Sequence, residues 1–212
     1  MKKPLIIIVI AIVIIGAGVA VYLVTQSEDT NTNAPTNSAI QTNTSAATNT
    51  SADTNTESAD RYIGDDFTIL QPADWTQSQI SGTLVSFHNT SEVNPEGSAA
   101  KKINFQSYMA VSFDMVNERS LAEINDLTID QIKASIPSAE VIASSDETIN
   151  GRPAKFSVLT LSQQEVDYTV FIAVTSKGDK YYAISGNTTT DKWTDYEDLF
   201  YQTARSFVFK NF

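Results

Sequence analysis

Residues 139–185 read AEVIASSDETINGRPAKFSVLTLSQQEVDYTVFIAVTSKGDKYYAIS, and the turns within them decide the fold. Asn150-Gly151 is a strong hairpin signal, because a two-residue type I′ turn needs positive φ at both central positions. It predicts that a strand over 140–149 returns as a strand over 153–161. A looser turn around Gln163-Gln164 leads into a strand over 166–175. There Tyr168, Val170, Ile172 and Val174 face one way, and Phe171 and Ala173 the other. A strand apolar on both faces is a central one with cover on each side. Lys177-Gly178-Asp179 turns the chain once more, into a strand over 180–185. The stretch is an antiparallel meander.

Working outward toward the N-terminus, Phe67, Ile69 and Leu70 suggest a strand over 62–70, ended by the turn Pro72-Ala73-Asp74 with Trp75 after it. Residues 83–88 form a second short strand, and 89–102, with Pro95 and Gly97, a polar loop. Ile103, Phe105, Met109, Val111 and Phe113 then alternate with Asn104, Gln106, Tyr108, Ser112 and Asp114. That period of two marks a strand with one apolar face. Ser120-Leu121-Ala122-Glu123 is a capping box that opens a helix. Leu121, Ile124, Ile132 and Ile136 form its buried stripe, Pro137 closes it, and Glu123, Asp126 and Asp130 lie on a solvated outer face.

Toward the C-terminus a last helix begins near Asp191 or Thr194, with Thr194 and Glu197 as a second capping box, and runs to about Ser206. Trp193, Tyr196, Leu199, Phe200 and Ala204 make its apolar side. A short strand over 207–209 ends the chain. The expected architecture is α+β, an antiparallel sheet sandwiched by helices.

Several of these pieces, in this order, resemble the PsbP-like superfamily. The matching features are Phe67 with Pro72-x-x-Trp75, Ser120-Leu121 opening a helix, Asn150-Gly151-x-Pro153-Ala154 before a strand, and Trp193-x-x-Tyr196…Phe200…Ser206-Phe207 at the close. The resemblance covers residues 61–212. It implies an α/β/α sandwich of a kind that includes a lumenal photosystem II subunit, a Ran-binding nuclear-import factor and bacterial envelope proteins. The family shares no catalytic residues to carry over. This chain departs from the plant members in its N-terminal anchor, and nothing in it suggests photosystem binding.

That anchor is residues 5–24, a run of 20 residues without a charge, 14 of them Leu, Ile or Val. A helix of that length spans roughly 30 Å, the hydrocarbon thickness of a bilayer. Lys2 and Lys3 precede it, so the positive-inside rule puts residues 1–4 in the cytoplasm and residues 25–212 outside it, on a single-pass protein of the cell membrane. A cleavable signal peptide is the rival, with small residues at Gly18-Val19-Ala20. The apolar run continues past them to Val24, which favours the uncleaved anchor. Residues 25–60 repeat Asn, Thr, Ser and Ala, with Ile40 as their one large apolar residue. Such a linker cannot bury enough surface to offset its conformational entropy and is expected to be a disordered spacer. Residues 61–212 then form the folded domain.

Composition closes off several chemistries. The chain of 212 residues has a net charge of −11 and no cysteine, and from Arg61 onward 20 acids face 12 bases. Nucleic acid binding needs a basic stripe, which is missing, and an acidic domain is repelled by phosphates. Thiol nucleophiles, thiolate metal sites and disulfides are excluded. His88 is the only histidine. It sits at a strand end beside Asn89 and Thr90 with no nucleophile elbow, so a structural role is expected. Multi-histidine metal sites are closed off, and with eight glycines there is no phosphate-cradling loop.

Calcium needs only oxygen ligands. Asp191, Asp195, Glu197 and Asp198 form the densest acidic cluster and are the only metal candidates, with Asp65-Asp66 as a smaller pair. Acids in the first turn of a helix are also stabilised by its dipole without a metal. Trp75, Trp193, Tyr181, Tyr182, Tyr196 and Tyr201 fit core packing between helix and sheet better than a ligand surface.

The sequence therefore names no catalytic residue and no cofactor. It reads as a membrane-anchored, extracytoplasmic, non-enzymatic binding or adaptor domain for an envelope protein partner. The rival is an envelope hydrolase, or a Ca²⁺ or small-ligand binder, using an acidic site.

Overall fold

A computed structural model describes residues 60–210. The transmembrane helix expected over 5–24 and the linker over 25–60, all but its last residue, lie outside the described residues. So do Asn211 and Phe212. Among the described residues no helix is long and apolar enough to cross a membrane.

The meander forms as its turns dictate. Asn150 (φ 48°) and Gly151 (φ 75°) both take positive φ and join β6 (Glu140–Ile149) to β7 (Arg152–Gln163). The next turn is Gln164-Glu165, one residue later than expected, again with both residues at positive φ. Gln163 pairs with Val166, so the hairpin into β8 (Val166–Lys177) has a two-residue loop whose register requires that geometry. Gly178-Asp179 leads into β9 (Lys180–Thr189), four residues longer than expected. The following Gly186-Asn187-Thr188-Thr189-Thr190 run has weak strand preference of its own. Pairing with β8 holds it extended to Thr189.

The N-terminal half adds β1 (Arg61–Ile63), β2 (Phe67–Leu70), β3 (Thr76–Ser78), β4 (Val85–His88), a short helix α1 (Ala99–Lys102) and β5 (Tyr108–Met115). Here the expectations need correcting. The strand over 62–70 is two strands, β3 was not foreseen, and the polar loop over 89–102 ends in α1, capped by Ser98. β5 starts at Tyr108, so Ile103 and Phe105 lie before it. Both of its faces are covered over its first half, since Tyr108 and Ala110 are as buried as Met109 and Val111. Phe113, placed on the apolar face, is 46% exposed.

The helix α2 (Leu121–Ser135) opens with the capping box as read. The Ser120 side chain accepts from the Glu123 N–H, and Glu123 Oε2 accepts from the Ser120 N–H at 2.8 Å. After a 3₁₀ turn, Thr190–Lys192, comes α3 (Trp193–Arg205), and β10 (Val208–Phe209) ends the described chain. The second capping box does not form: the N-cap is Lys192, and Thr194 already lies inside the helix.

The described residues form two sheets rather than one. Seven strands run in the order β3-β4-β5-β9-β8-β7-β6, and a small sheet runs β1-β2-β10. One face of the large sheet packs against α3 and the small sheet through Phe67, Phe87, Phe156, Phe171, Phe200 and Phe207. The other packs against α2 and α1 through Ile124, Ile129, Ile132 and Ala100, with Leu159, Val170 and Ile172 on the sheet side. β8 contributes to both: Tyr168, Val170, Ile172 and Val174 lie under α2, Phe171 and Ala173 under α3. Gly186 on β9 is the point of closest approach. A Cβ there would lie 2.6 Å from Cγ of Phe200, so only glycine lets α3 sit this close to the sheet.

Candidate functional site

Side chains alternate along a strand, so cross-strand neighbours share a face. At one end of the seven-stranded sheet the pairing sets His88 of β4 beside Tyr108 of β5, Tyr108 beside Asn187 of β9, and Thr189 of β9 beside Tyr168 of β8. All five point to the α2 side. The rings of His88 and Tyr108 stack, 5.2 Å apart and inclined by 15°, and Tyr168 meets Phe105 edge-on at 5.0 Å. Yet four polar atoms in this row, His88 Nε2, Tyr168 Oη, Asn187 Oδ1 and Thr189 Oγ1, are buried and find no hydrogen-bond partner among the described residues. Native interiors leave few such atoms, because each costs about 1–3 kcal/mol. Four in one row mark a polar seam, not a packing accident.

Burial also sets the protonation of the seam. It pushes the Tyr168 hydroxyl up to about 12 and Tyr108 higher still, the latter also through the Tyr168 charge, so both are neutral donors at ordinary pH. Burial pushes His88 below its ordinary value of 6.5, favouring the neutral imidazole.

A surface cavity lies at each end of the seam. Beyond His88 is one of about 300 Å³ lined by Thr76, Ser78, Gln79, Ile80, Thr90 and Gln106. Beyond Thr189 is one of about 430 Å³, bounded by Asn94, Ser98, Ala100, Glu165, Asp167 and Asp191. The loop over 89–107 is tied down by a largely buried ion pair. Lys192 Nζ donates to Glu92 Oε1 (2.5 Å), Asn94 Oδ1 (2.9 Å) and the Val93 carbonyl (3.2 Å). Glu92 Oε2 accepts from the Ser107 N–H at 2.6 Å, and Asn94 Nδ2 donates to the Phe105 carbonyl at 2.6 Å. A buried pair of this kind holds only when its remaining hydrogen-bonding capacity is filled, as it is here.

The family model for PsbP matches residues 57–209. The chain belongs to the PsbP family. Among solved structures this PsbP-family chain is similar to the cyanobacterial PsbP (CyanoP) of Synechocystis sp. PCC 6803. The two share 16% identity and a TM-score of 0.55 over 76% of this chain and 98% of that one. It is also similar to LpqN of Mycobacterium tuberculosis, a protein involved in cell envelope biogenesis. That pair shares 13% identity and a TM-score of 0.56 over 70% of this chain and 86% of the other. At such identities the likeness is one of fold. No curated protein sequence matches the chain.

The acids singled out in the sequence are dispersed in this PsbP-family domain. Asp191 sits in the 3₁₀ turn and lines the larger cavity, and Asp195 lies in the first turn of α3. Glu197 and Asp198 follow farther along that helix. Among the described residues no three His, Cys, Asp or Glu side chains are grouped so as to hold a metal ion. Of the smaller pair, Asp66 accepts from Lys180 Nζ (3.1 Å) and Tyr182 Oη (3.0 Å), and these bonds hold its carboxyl below the usual range. The aromatic set is core: Trp75, Tyr181 and Tyr182 are buried, and Trp193, Tyr196 and Tyr201 pack partly buried against the α3-side cluster.

From the sequence His88 is expected to be structural, and Tyr168, Asn187, Thr189 and the Glu92–Lys192 clamp carry no signal of their own as site residues. The available signal was the polar run 185–190 directly after an apolar strand. If that run is read as strand instead of loop, it buries hydroxyls and an amide.

Proposed function

We propose that residues 61–212 act as a non-enzymatic binding module outside the cytoplasm, tethered by the apolar run 5–24 and serving an envelope protein or envelope component. The observation that carries this reading is the polar seam. Four buried, unpartnered polar atoms between two surface cavities fit a site that completes its hydrogen bonds with something outside the chain. The fold likeness to LpqN, whose role is in cell envelope biogenesis, supports the setting.

The test has two parts. External protease on intact spheroplasts should cut within 25–60 and release a stable fragment that begins near residue 61; full protection would remove the extracytoplasmic placement. In-cell photocrosslinking from Gln79 and Ser98, one at each cavity, should capture a defined partner, whereas a probe at Asp130 on the outer face of α2 should not. The acidic-site alternative, with Asp191, Asp195, Glu197 and Asp198 binding Ca²⁺, predicts a different result. Ca²⁺ would raise the melting temperature by several degrees, and Asp195→Asn with Asp198→Asn would abolish the rise.

A further inference from the structure

We infer that the outer edge of β6, over residues 143–149, receives an extended, lysine- or arginine-bearing segment of a partner polypeptide, added as a further strand of the large sheet. The edge is separate from the seam and shares with the binding reading above only the kind of activity. β6 ends the strand order, pairing with β7 on one side and with nothing among the described residues on the other. It is ten residues long, whereas β3 at the opposite end has three, and the outer strands of the small sheet, β1 and β10, have three and two. From Glu140 to Asp146 every residue is exposed, so neither α2 nor α3 covers this stretch.

The hairpin fixes which backbone groups are free. Ile149 and Arg152 flank a two-residue turn and therefore bond each other, and bonding alternates from there. Ile149, Glu147, Ser145 and Ala143 thus bond β7, while Thr148, Asp146 and Ser144 turn N–H and C=O outward. Pro153, which lacks an N–H, stands opposite Thr148, where no bond to β6 is required. Folds blunt long edges with proline, lysine or a bulge. β6 has one bulge, between Val141 and Ala143, and the seven residues after it keep unbroken register with β7, with neither proline nor lysine among them. A regular ladder of that length is a template for an added strand.

Charge selects the occupant. β6 carries Glu140, Asp146 and Glu147 and no base. Asp146 meets Lys155 through Oδ1 at 2.8 Å, and Glu147 meets Arg205 through Oε2 at 3.4 Å, so both bases stand behind the edge, on β7 and α3. A strand laid outside β6 meets the acids first, Asp146 on one face of the sheet and Glu147 on the other. The Asp146 side chain is 83% exposed. Opposite charges across a strand pair attract, and like charges directly opposite repel. A second copy would lay this acidic strand on itself, in a domain where 20 acids face 12 bases. Residues 25–59 hold four acids and no base, so the chain's own linker suits the edge no better. A cationic segment of another polypeptide fits both the ladder and its charge.

Hydrogen–deuterium exchange of the full-length protein in detergent micelles, with fluorescence anisotropy for affinity, tests this with three labelled peptides: (Lys-Thr)₄, (Glu-Thr)₄ and (Lys-Pro)₄. (Lys-Thr)₄ should bind and slow exchange over 143–149. (Glu-Thr)₄, with the wrong charge, and (Lys-Pro)₄, with the charge but no ladder, should each bind at least about tenfold more weakly. Asp146→Pro removes one outward N–H without breaking a bond to β7 and should weaken (Lys-Thr)₄ by about tenfold or more. Asp146→Lys keeps the backbone and should act in the same direction, which covers the case of a misfolded proline variant. Equal binding of (Lys-Pro)₄ would be bare charge attraction and would overturn the edge. Equal binding of (Glu-Thr)₄ would overturn the cationic partner. Exchange over 143–149 that is already slow without peptide would mean that the edge is occupied. The occupant is a second copy if exchange slows further with protein concentration, and residues 25–59 if it does not; either overturns the proposal. Binding of none of the peptides would overturn it as well, and the crosslinks from Gln79 and Ser98 would still decide the seam separately.

Discussion

Under α3 the large sheet meets an aromatic layer. Phe171, Phe200 and Phe207 are fully buried, Phe67 stacks on Phe207 at 4.8 Å, and Tyr196 stacks on Phe200 at 5.9 Å. The polar Tyr182 on this side has its partner in Asp66. Under α2 and α1 the same sheet meets an aliphatic layer whose helix-borne polar groups are also satisfied: Ser157 donates to Asn125 Oδ1 at 2.9 Å, and Thr128 to the Ile124 carbonyl at 2.8 Å. Yet among the described residues every strand residue with a buried, unpartnered polar atom lies on this second face, and four of the five are gathered at one end. The α3 face is built for stability. The α2 face gives up some stability at its end, which is the usual mark of a site kept for a ligand.

The comparison can be broken most forcefully at Phe200. If the α3 face carries the stability, Phe200→Ala should cost about 3–5 kcal/mol in denaturant unfolding. A loss below about 1 kcal/mol would mean that this face is not the packed one. Next comes Gly186, where a methyl group would run into the Phe200 ring at 2.6–2.9 Å. Gly186→Ala should cost about 1–3 kcal/mol through overpacking, and combining it with Phe200→Ala should recover part of that loss.

A smaller effect belongs to His88. Its folded-state pKa lies below the ordinary 6.5 because burial penalises the imidazolium. The unfolded chain therefore takes up the proton first. The neutral His88 leaves stability whole above the ordinary value, and stability falls as pH drops through it toward the folded pKa. Asp66 and Glu123, whose carboxyls are also held down, act only at lower pH, below their ordinary 3.8 and 4.5. His88→Gln should flatten the stability profile between about pH 7 and pH 5 and leave the acid limb unchanged. An unaltered slope would show that His88 is not protected in the fold.

The smallest change is expected in the seam itself. Tyr168→Phe and Thr189→Val remove hydroxyls that have no partner among the described residues. Each should be neutral within about 0.5 kcal/mol or stabilising, whereas Ser157→Ala, which strips Asn125 of its donor, should cost about 1–3 kcal/mol. If Tyr168→Phe cost as much as Ser157→Ala, the seam would be satisfied within the protein and the contrast between the faces would disappear.

What the sequence determined by itself is what local physics enforces. Asn150-Gly151 set a hairpin because few residue pairs accept two positive φ values. Ser120 and Glu123 set a helix start because their side chains reach each other's backbone. The double-faced alternation of Tyr168–Val174 set a central strand, and the ordered pieces carried the PsbP resemblance. Tertiary structure decided wherever a segment's local preference was weak. Residues 186–189 look like loop and become strand because β8 supplies a ladder for them. Thr194 and Glu197 look like a capping box, but the 3₁₀ turn starts the helix before them. The small sheet gains its third strand only because β10 returns to β2 from the far end of the domain. The candidate site is of the same kind. His88, Tyr168, Asn187 and Thr189 come from three strands spread over a hundred residues, and only cross-strand register makes them neighbours. A polar atom left without a partner is a property of all its surroundings at once, so no stretch of sequence carries it.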